Sequence, residues 1–112
     1  MERLFQTRYA VVAAAHEAGV PIFCGTDAGG QLPHGLVADE VIELGTAGLS
    51  PTEAIGAATW SARAWLGRPG LEEGESADLV VYQSDPREDL TELKRPRQVV
   101  LRGRPVGAAA AP

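Results

Sequence analysis

The run Val20-Pro21-Ile22-Phe23-Cys24 carries no charged or amide side chain, and it restricts the fold more than any other stretch of the chain. A strand with one wet face alternates polar and apolar residues, whereas an unbroken apolar run suits a strand covered on both faces. Residues 3–18 precede it with an apolar stripe at Leu4, Val11, Val12 and Ala15, which is helical spacing. Gly19 then offers the left-handed conformation that closes helices. Helix, glycine turn and buried strand is the rhythm of an α/β fold. A buried parallel strand needs neighbours, and no partner strand for it is expected in the 112 residues. A closed eight-stranded α/β barrel takes ~250 residues. The expectation is therefore one part of a larger α/β unit.

The strand is expected to end at Gly25-Thr26-Asp27-Ala28-Gly29-Gly30, followed by a polar loop to Gly35. A second helix is predicted over 37–47, with Val37, Val41, Leu44 and Ala47 along one side and Gly48 as its stop. Ser50-Pro51-Thr52-Glu53 is a capping box, with proline suited to the first turn. Ala54, Ile55, Ala58, Ala62 and Leu66 continue that third helix as one close-packing face. Beyond Gly67 two β-rich stretches appear, 77–83 and 98–106, joined by a polar segment with Ser84-Asp85-Pro86. The chain thus divides into an α/β part, 1–67, a β part, 68–106, and a loose tail, 107–112. Two strands alone are marginal in water, so the β part is expected to be incomplete as well.

Charge and composition narrow the function. The net charge is −5, and the nearest basic group (Lys94, Arg95, Arg97, Arg102, Arg104) is interrupted by Pro96 and Pro105. Nucleic-acid binding needs a clustered basic footprint, so no nucleic-acid partner is expected. One cysteine, Cys24, excludes an internal disulfide and a Cys-rich zinc site. No stretch approaches the ~20 apolar residues of a membrane span, so no membrane partner is expected. Arg3 and Arg8 ahead of the apolar run 9–15 faintly imitate a secretory signal. His16 and Glu17 end that run at once, an amphipathic helix suits it equally well, and a cytoplasmic location is the default expectation.

Asp27 is the leading candidate for chemistry. A carboxylate at the end of a buried strand, beside glycines that permit close approach, can bind a cation or take a proton from metal-bound water. It can equally cap the turn that follows. His34, in the same loop, is either a substrate contact or a local hydrogen-bonding group. His16 is expected to place a favourable charge at a helix C-terminus rather than to ligate. Cys24 lies within the apolar run, where cysteine behaves as a small hydrophobe, and no cation adjacent in sequence lowers its pKa. Trp60 and Trp65 are five apart on one helix, so one is expected in the core and the other against the β part or an absent domain. Glu72, Glu73 and Glu75 suit a solvated turn.

Several blocks in order carry a resemblance: Gly19 to Gly29, Pro33-His34-Gly35, Ala47 to Ile55, Ala57-Ala58-Thr59, Gly74 with Ala77-Asp78-Leu79-Val80-Val81, Asp85-Pro86, and Val99 to Val106. Together, over about residues 10–106, the chain resembles the metal-dependent amidohydrolase superfamily, in its imidazolonepropionase-like and Xaa-Pro dipeptidase-like branch. The resemblance implies the last strand and flanking helices of a TIM-type barrel, then part of a small β-sandwich. It implies hydrolysis of a carbon–nitrogen bond in a small-molecule substrate (a cyclic amide, an imidazolone, or an Xaa-Pro or acyl-amino-acid compound). It further implies a divalent metal, usually zinc, with Asp27 as ligand and proton shuttle and His34 orienting a substrate carboxylate or carbonyl.

The departures from that pattern bear on activity. The family's His-x-His pair, its bridging lysine or glutamate and its two later barrel histidines have no counterpart. His16 and His34 are the only histidines and Lys94 the only lysine. Catalytic zinc normally takes three protein ligands and an open position. The expectation is a C-terminal fragment, inactive alone, lacking an N-terminal part; Met1, inside what the resemblance makes an outer barrel helix, is then a suspect start. A split enzyme would draw the histidines from another chain. The alternative is a non-catalytic assembly or binding module that completes its sheet as a homo-oligomer.

Overall fold

The computed structural model describes residues 2–107, with side-chain surroundings from residue 7 onward. Leu4 of the helical stripe and most of the expected loose tail lie outside what is described. The fold is mixed α/β, with four helices leading into a three-stranded sheet. Among the described residues no helix is long and apolar enough to cross a membrane.

Helix α1 spans Glu2–Glu17. Gly19, at φ 83°, closes it: Gly19 N–H donates to His16 C=O and Val20 N–H to Ala15 C=O. That paired pattern satisfies carbonyls which the helix end would otherwise leave open. The expected strand at 20–24 does not form. The segment is not a paired strand, and among the described residues none runs beside it. Its neighbour is a helix instead, and Cys24 N–H donates to Ala57 C=O at 2.9 Å. Only a carbonyl near a helix end is free for such a bond, so a helix cannot offer the repeating ladder a strand requires. The expected covering on both faces is only partial: Ile22 and Cys24 pack against the core, while Val20 is 52% exposed.

Helix α2, Val37–Thr46, buries Val41 and Leu44. Helix α3, Pro51–Ala58, begins with the anticipated capping box: Glu53 N–H donates to Ser50 Oγ at 3.1 Å, and Ser50 N–H to Glu53 Oε1 at 3.0 Å. The helix does not run on to Leu66 as expected. It breaks at Thr59 (φ −134°, ψ −105°) and restarts as α4, Trp60–Trp65. The Thr59 hydroxyl donates to Ile55 C=O at 2.7 Å, a side-chain competitor that bends helices. The break also lets the Trp60 indole fold back over Gly56, where an added Cβ would lie 2.7 Å from Trp60 Nε1. Neither tryptophan is buried, contrary to the expectation that one would be: Trp65 stacks on Phe23 with centroids 5.0 Å apart and stays largely exposed.

The core is small: Val41, Leu44, Leu49, Ala54, Ile55 and Ala57. Leu90 and Leu93, from a short 3-10 turn at Leu90–Lys94, pack against it. Gly45 makes room for this, since a Cβ there would meet Leu90 Cδ1 at 2.8 Å. Lys94 Nζ and Asp39 Oδ1, 2.8 Å apart, close the same contact at the surface. Residues on both sides of Gly67 therefore share one apolar cluster.

The sheet is antiparallel, in the order β1 (Leu79–Val81), β2 (Gln98–Leu101), β3 (Arg104–Val106). The stretch expected as one strand over 98–106 is a hairpin. Arg102 and Gly103 both take positive φ, 52° and 78°, as a two-residue turn of mirror-image type requires. Asp78 Oδ1 accepts from Arg102 N–H at 2.9 Å, which ties the turn to the start of β1. Arg-Gly is a weaker turn signal than Asn-Gly, so the fold-back was not legible.

Candidate functional site

The apolar segment delivers Asp27 into the loop 25–35. Asp27 stands at φ 55°, a left-handed conformation that aspartate tolerates better than most residues. The loop is pinned locally: Ala28 bridges Leu32, and Gly29 N–H donates to Leu32 C=O at 3.2 Å. Asp27 and His34 are both exposed. The Asp27 carboxylate makes no hydrogen bond or ion pair with a described residue, so it does not cap the turn. His34 folds toward the same loop, its Cε1 3.9 Å from where a Gly29 Cβ would stand. One loop thus presents an unengaged carboxylate and an imidazole side by side in the chain's course, without direct contact between them.

These residues do not make a complete metal site. Among the described residues no group of three or more His, Cys, Asp or Glu side chains is placed to hold an ion. A single carboxylate such as that of Asp27 supplies one ligand at most, where catalytic zinc takes three protein ligands. His16 is engaged at the start of the apolar segment, with Nε2 3.0 Å from Glu53 Oε2. Glu53 is held below its ordinary carboxylate pKa, first by the Ser50 backbone amide and the Ser50 hydroxyl, then by His16. His16 therefore links the end of α1 to the start of α3, consistent with a role at a helix terminus.

Cys24 lines a small groove of about 250 Å³ with Thr26, Ala57, Ala58 and Ala62. Burial, with Glu40 adding to it, pushes its thiol up to about 11. At pH 8 its thiolate is then about a hundredfold scarcer than at a thiol of ordinary pKa. Titration with a disulfide reagent at pH 8 is expected to modify Cys24 about tenfold more slowly in the native chain than in urea, because the scarcer thiolate is also the stronger nucleophile; equal rates would contradict the burial.

A larger groove, of about 580 Å³, opens between α3, α4 and the sheet, lined by Trp60, Arg63, Leu71 and Tyr82 among others. Arg63 spans its wall, with Nε donating to Pro69 C=O at 2.6 Å and NH2 3.9 Å from Asp78 Oδ2. No sequence motif announced it, because it is produced by the break at Thr59 and by where the sheet sits.

The family model described as the amidohydrolase family matches residues 2–106, so the chain belongs to the amidohydrolase family. An uncharacterised protein of Mycobacterium tuberculosis is 52% identical over 107 residues, covering 96% of this chain and 29% of that protein. An ochratoxinase of Aspergillus niger is 32% identical over 104 residues, covering 88% of this chain and 21% of the enzyme. Among solved structures, a Bifidobacterium longum protein provisionally named a prolidase superposes with a TM-score of 0.81 at 37% identity, over 93% of this chain and 27% of its own. A Xaa-Pro dipeptidase with methionine bound in its active site gives 0.79 at 30% identity, over 89% and 25%. The chain spans less than a third of the length of each of these relatives.

Proposed function

We propose that this chain is the C-terminal part of a cytoplasmic, metal-dependent amidohydrolase that cleaves a carbon–nitrogen bond in a small-molecule substrate. Residues 1–67 then correspond to the last strand and flanking helices of a TIM-type barrel, and residues 68–106 to part of its β-sandwich. The observation that carries this reading is the unengaged Asp27 carboxylate at the end of the apolar segment, in a chain whose family match runs over residues 2–106. Cyclic amides, imidazolones and Xaa-Pro or acyl-amino-acid compounds all fit, and the two solved neighbours favour the Xaa-Pro class.

A divalent metal, zinc by the resemblance, would supply an activated water at such a site, with Asp27 as one of its ligands. The remaining ligands come from an N-terminal part outside these residues. With that group bound, Asp27 Oδ would be placed to take a proton from water and to return it to the leaving amine nitrogen. His34 orients the substrate carboxylate or carbonyl from the neighbouring loop position. Alone, the chain does not hydrolyse.

The test compares the 112-residue chain with the same chain joined to whatever an in-frame upstream sequence encodes. Zinc content and hydrolysis of Xaa-Pro dipeptides, N-acyl amino acids and cyclic amides are measured for both. The expected result is substoichiometric zinc and no turnover for the chain alone, with both gained on joining. Turnover by the chain alone would refute the incomplete site, and a joined protein that cleaves none of these amides would refute the hydrolase reading.

A further inference from the structure

None of the six residues of α4 is buried. The break at Thr59 separates it from α3, and few helical bonds cross that point. Thr59 N–H turns to Gly56 C=O at 3.1 Å, while its hydroxyl donates to Ile55 C=O. An element with so little buried surface lies at the low end of local stability. Its position therefore depends on the few contacts that hold it, and these fall on two different parts of the molecule.

The first is the sheet. Arg63 Nε donates to Pro69 C=O at 2.6 Å, and Arg63 NH2 lies 3.9 Å from Asp78 Oδ2. The hairpin in turn fixes Asp78: its Oδ1 accepts from Arg102 N–H, and Gly103 N–H donates to the neighbouring Ala77 C=O at 3.0 Å. The Arg102 amide first, then the Ser76 hydroxyl and the Arg63 guanidinium, hold the Asp78 carboxyl below its ordinary range. The second part is the apolar segment. Trp65 stacks on Phe23, and Ala62 shares its groove with Cys24, Gly25 and Thr26, the three residues before Asp27. Ala62 and Arg63 are neighbours on a helix, about 100° apart around its axis, so one meets the segment while the other meets the sheet.

We infer that α4 is a lever, hinged at Thr59, that couples the position of the sheet to the segment ending in Asp27. Arg63 is the arm on the sheet side, and Ala62 and Trp65 are the arm on the segment side. A shift of the hairpin moves Asp78, Asp78 draws Arg63, and α4 then changes the wall it presents to Cys24 and Thr26. The Lys94–Asp39 pair also joins the sheet-bearing part to the helices, but it runs to α2 and bypasses α4. It is the natural control, an ion pair of similar exposure outside the lever.

The experiment measures how fast a disulfide reagent modifies Cys24 at pH 8 in the 112-residue chain. Wild type is compared with Arg63→Met, Asp78→Asn, the two combined, and Lys94→Met. Methionine keeps the packing of the arginine stem and drops both polar contacts. Freeing α4 in this way should speed the thiol about fivefold, the scale of one charge-assisted hydrogen bond lost at a part-exposed site. Asp78→Asn keeps an acceptor for the Arg102 amide and loses only the charge facing Arg63, so about a twofold gain is expected. The double variant should be no faster than Arg63→Met, because the Asp78 charge then has nothing on α4 to hold. Lys94→Met should react at the wild-type rate. An unchanged rate in Arg63→Met, a double variant faster than Arg63→Met, or a Lys94→Met gain equal to that of Arg63→Met would each overturn the lever. Should Arg63→Met lose its helical circular dichroism, Asp78→Asn decides alone, and a wild-type rate there overturns it. The readout is thiol chemistry on the chain itself, so failure of the hydrolase reading leaves this test untouched.

Discussion

Replacing Asp27 by Asn is expected to lower amide hydrolysis by the joined enzyme about 10²–10⁴-fold, the usual worth of a positioned proton-transfer group. The substitution is unusually clean at this position. Asn is as tolerant of a left-handed backbone as Asp, so φ 55° adds no new strain. Size is preserved, and no native hydrogen bond of the carboxylate to a described residue is lost. The melting temperature of the 112-residue chain should therefore stay within a degree or two, while kcat of the joined enzyme collapses. Asp27→Ala should lose the same activity and also some stability, because alanine is strained at positive φ. If Asp27→Asn retained turnover within tenfold, Asp27 would not be the proton carrier. His34→Ala supplies the contrast: an orienting residue should raise KM with a smaller effect on kcat.

Leu44→Ala carries the largest expected stability effect. Leu44 is 7% exposed and belongs to the core with Val41, Leu49, Ala54 and Ile55, against which Leu90 and Leu93 pack. A leucine-to-alanine truncation in a core costs about 2–5 kcal/mol. Domains of this size have only about 5–15 kcal/mol in total, so much of the stability is at stake. The core draws on both sides of Gly67, so both should loosen together. Urea unfolding followed by tryptophan fluorescence and by far-UV circular dichroism should give coincident curves, displaced together in the variant. Separate midpoints for the two probes would show that the β part melts on its own.

The parts of the fold that were legible in the sequence are those set by local chemistry. The capping box at Ser50 needs only residues three apart, and Gly19 and Gly48 end helices through positive φ values of 83° and 119°. The parts that were not legible depend on distant partners. Val20 to Cys24 has the composition of a covered strand, yet strand character requires a neighbour with open donors and acceptors, and α3 offers Ala57 C=O. Thr59 is an acceptable helix residue by propensity, and only its bond to Ile55 C=O together with the packing of Trp60 on Gly56 reveals the break. The site follows the same division. The loop that carries Asp27 was legible because glycines mark it. The Arg63–Asp78 approach across the larger groove joins residues fifteen apart through tertiary placement alone.

The apolar segment also gives the protein a built-in reporter of assembly. Apart from Val20 N–H on Ala15 C=O and Cys24 N–H on Ala57 C=O, its amides have no backbone partner among the described residues, so Ile22 and Phe23 lack the pairing that slows exchange with heavy water. A neighbouring strand supplied by the rest of a barrel would protect them in alternation, every second residue on each side. Deuterium uptake at these few amides would then register docking of the proposed N-terminal portion without a substrate, a metal or a label.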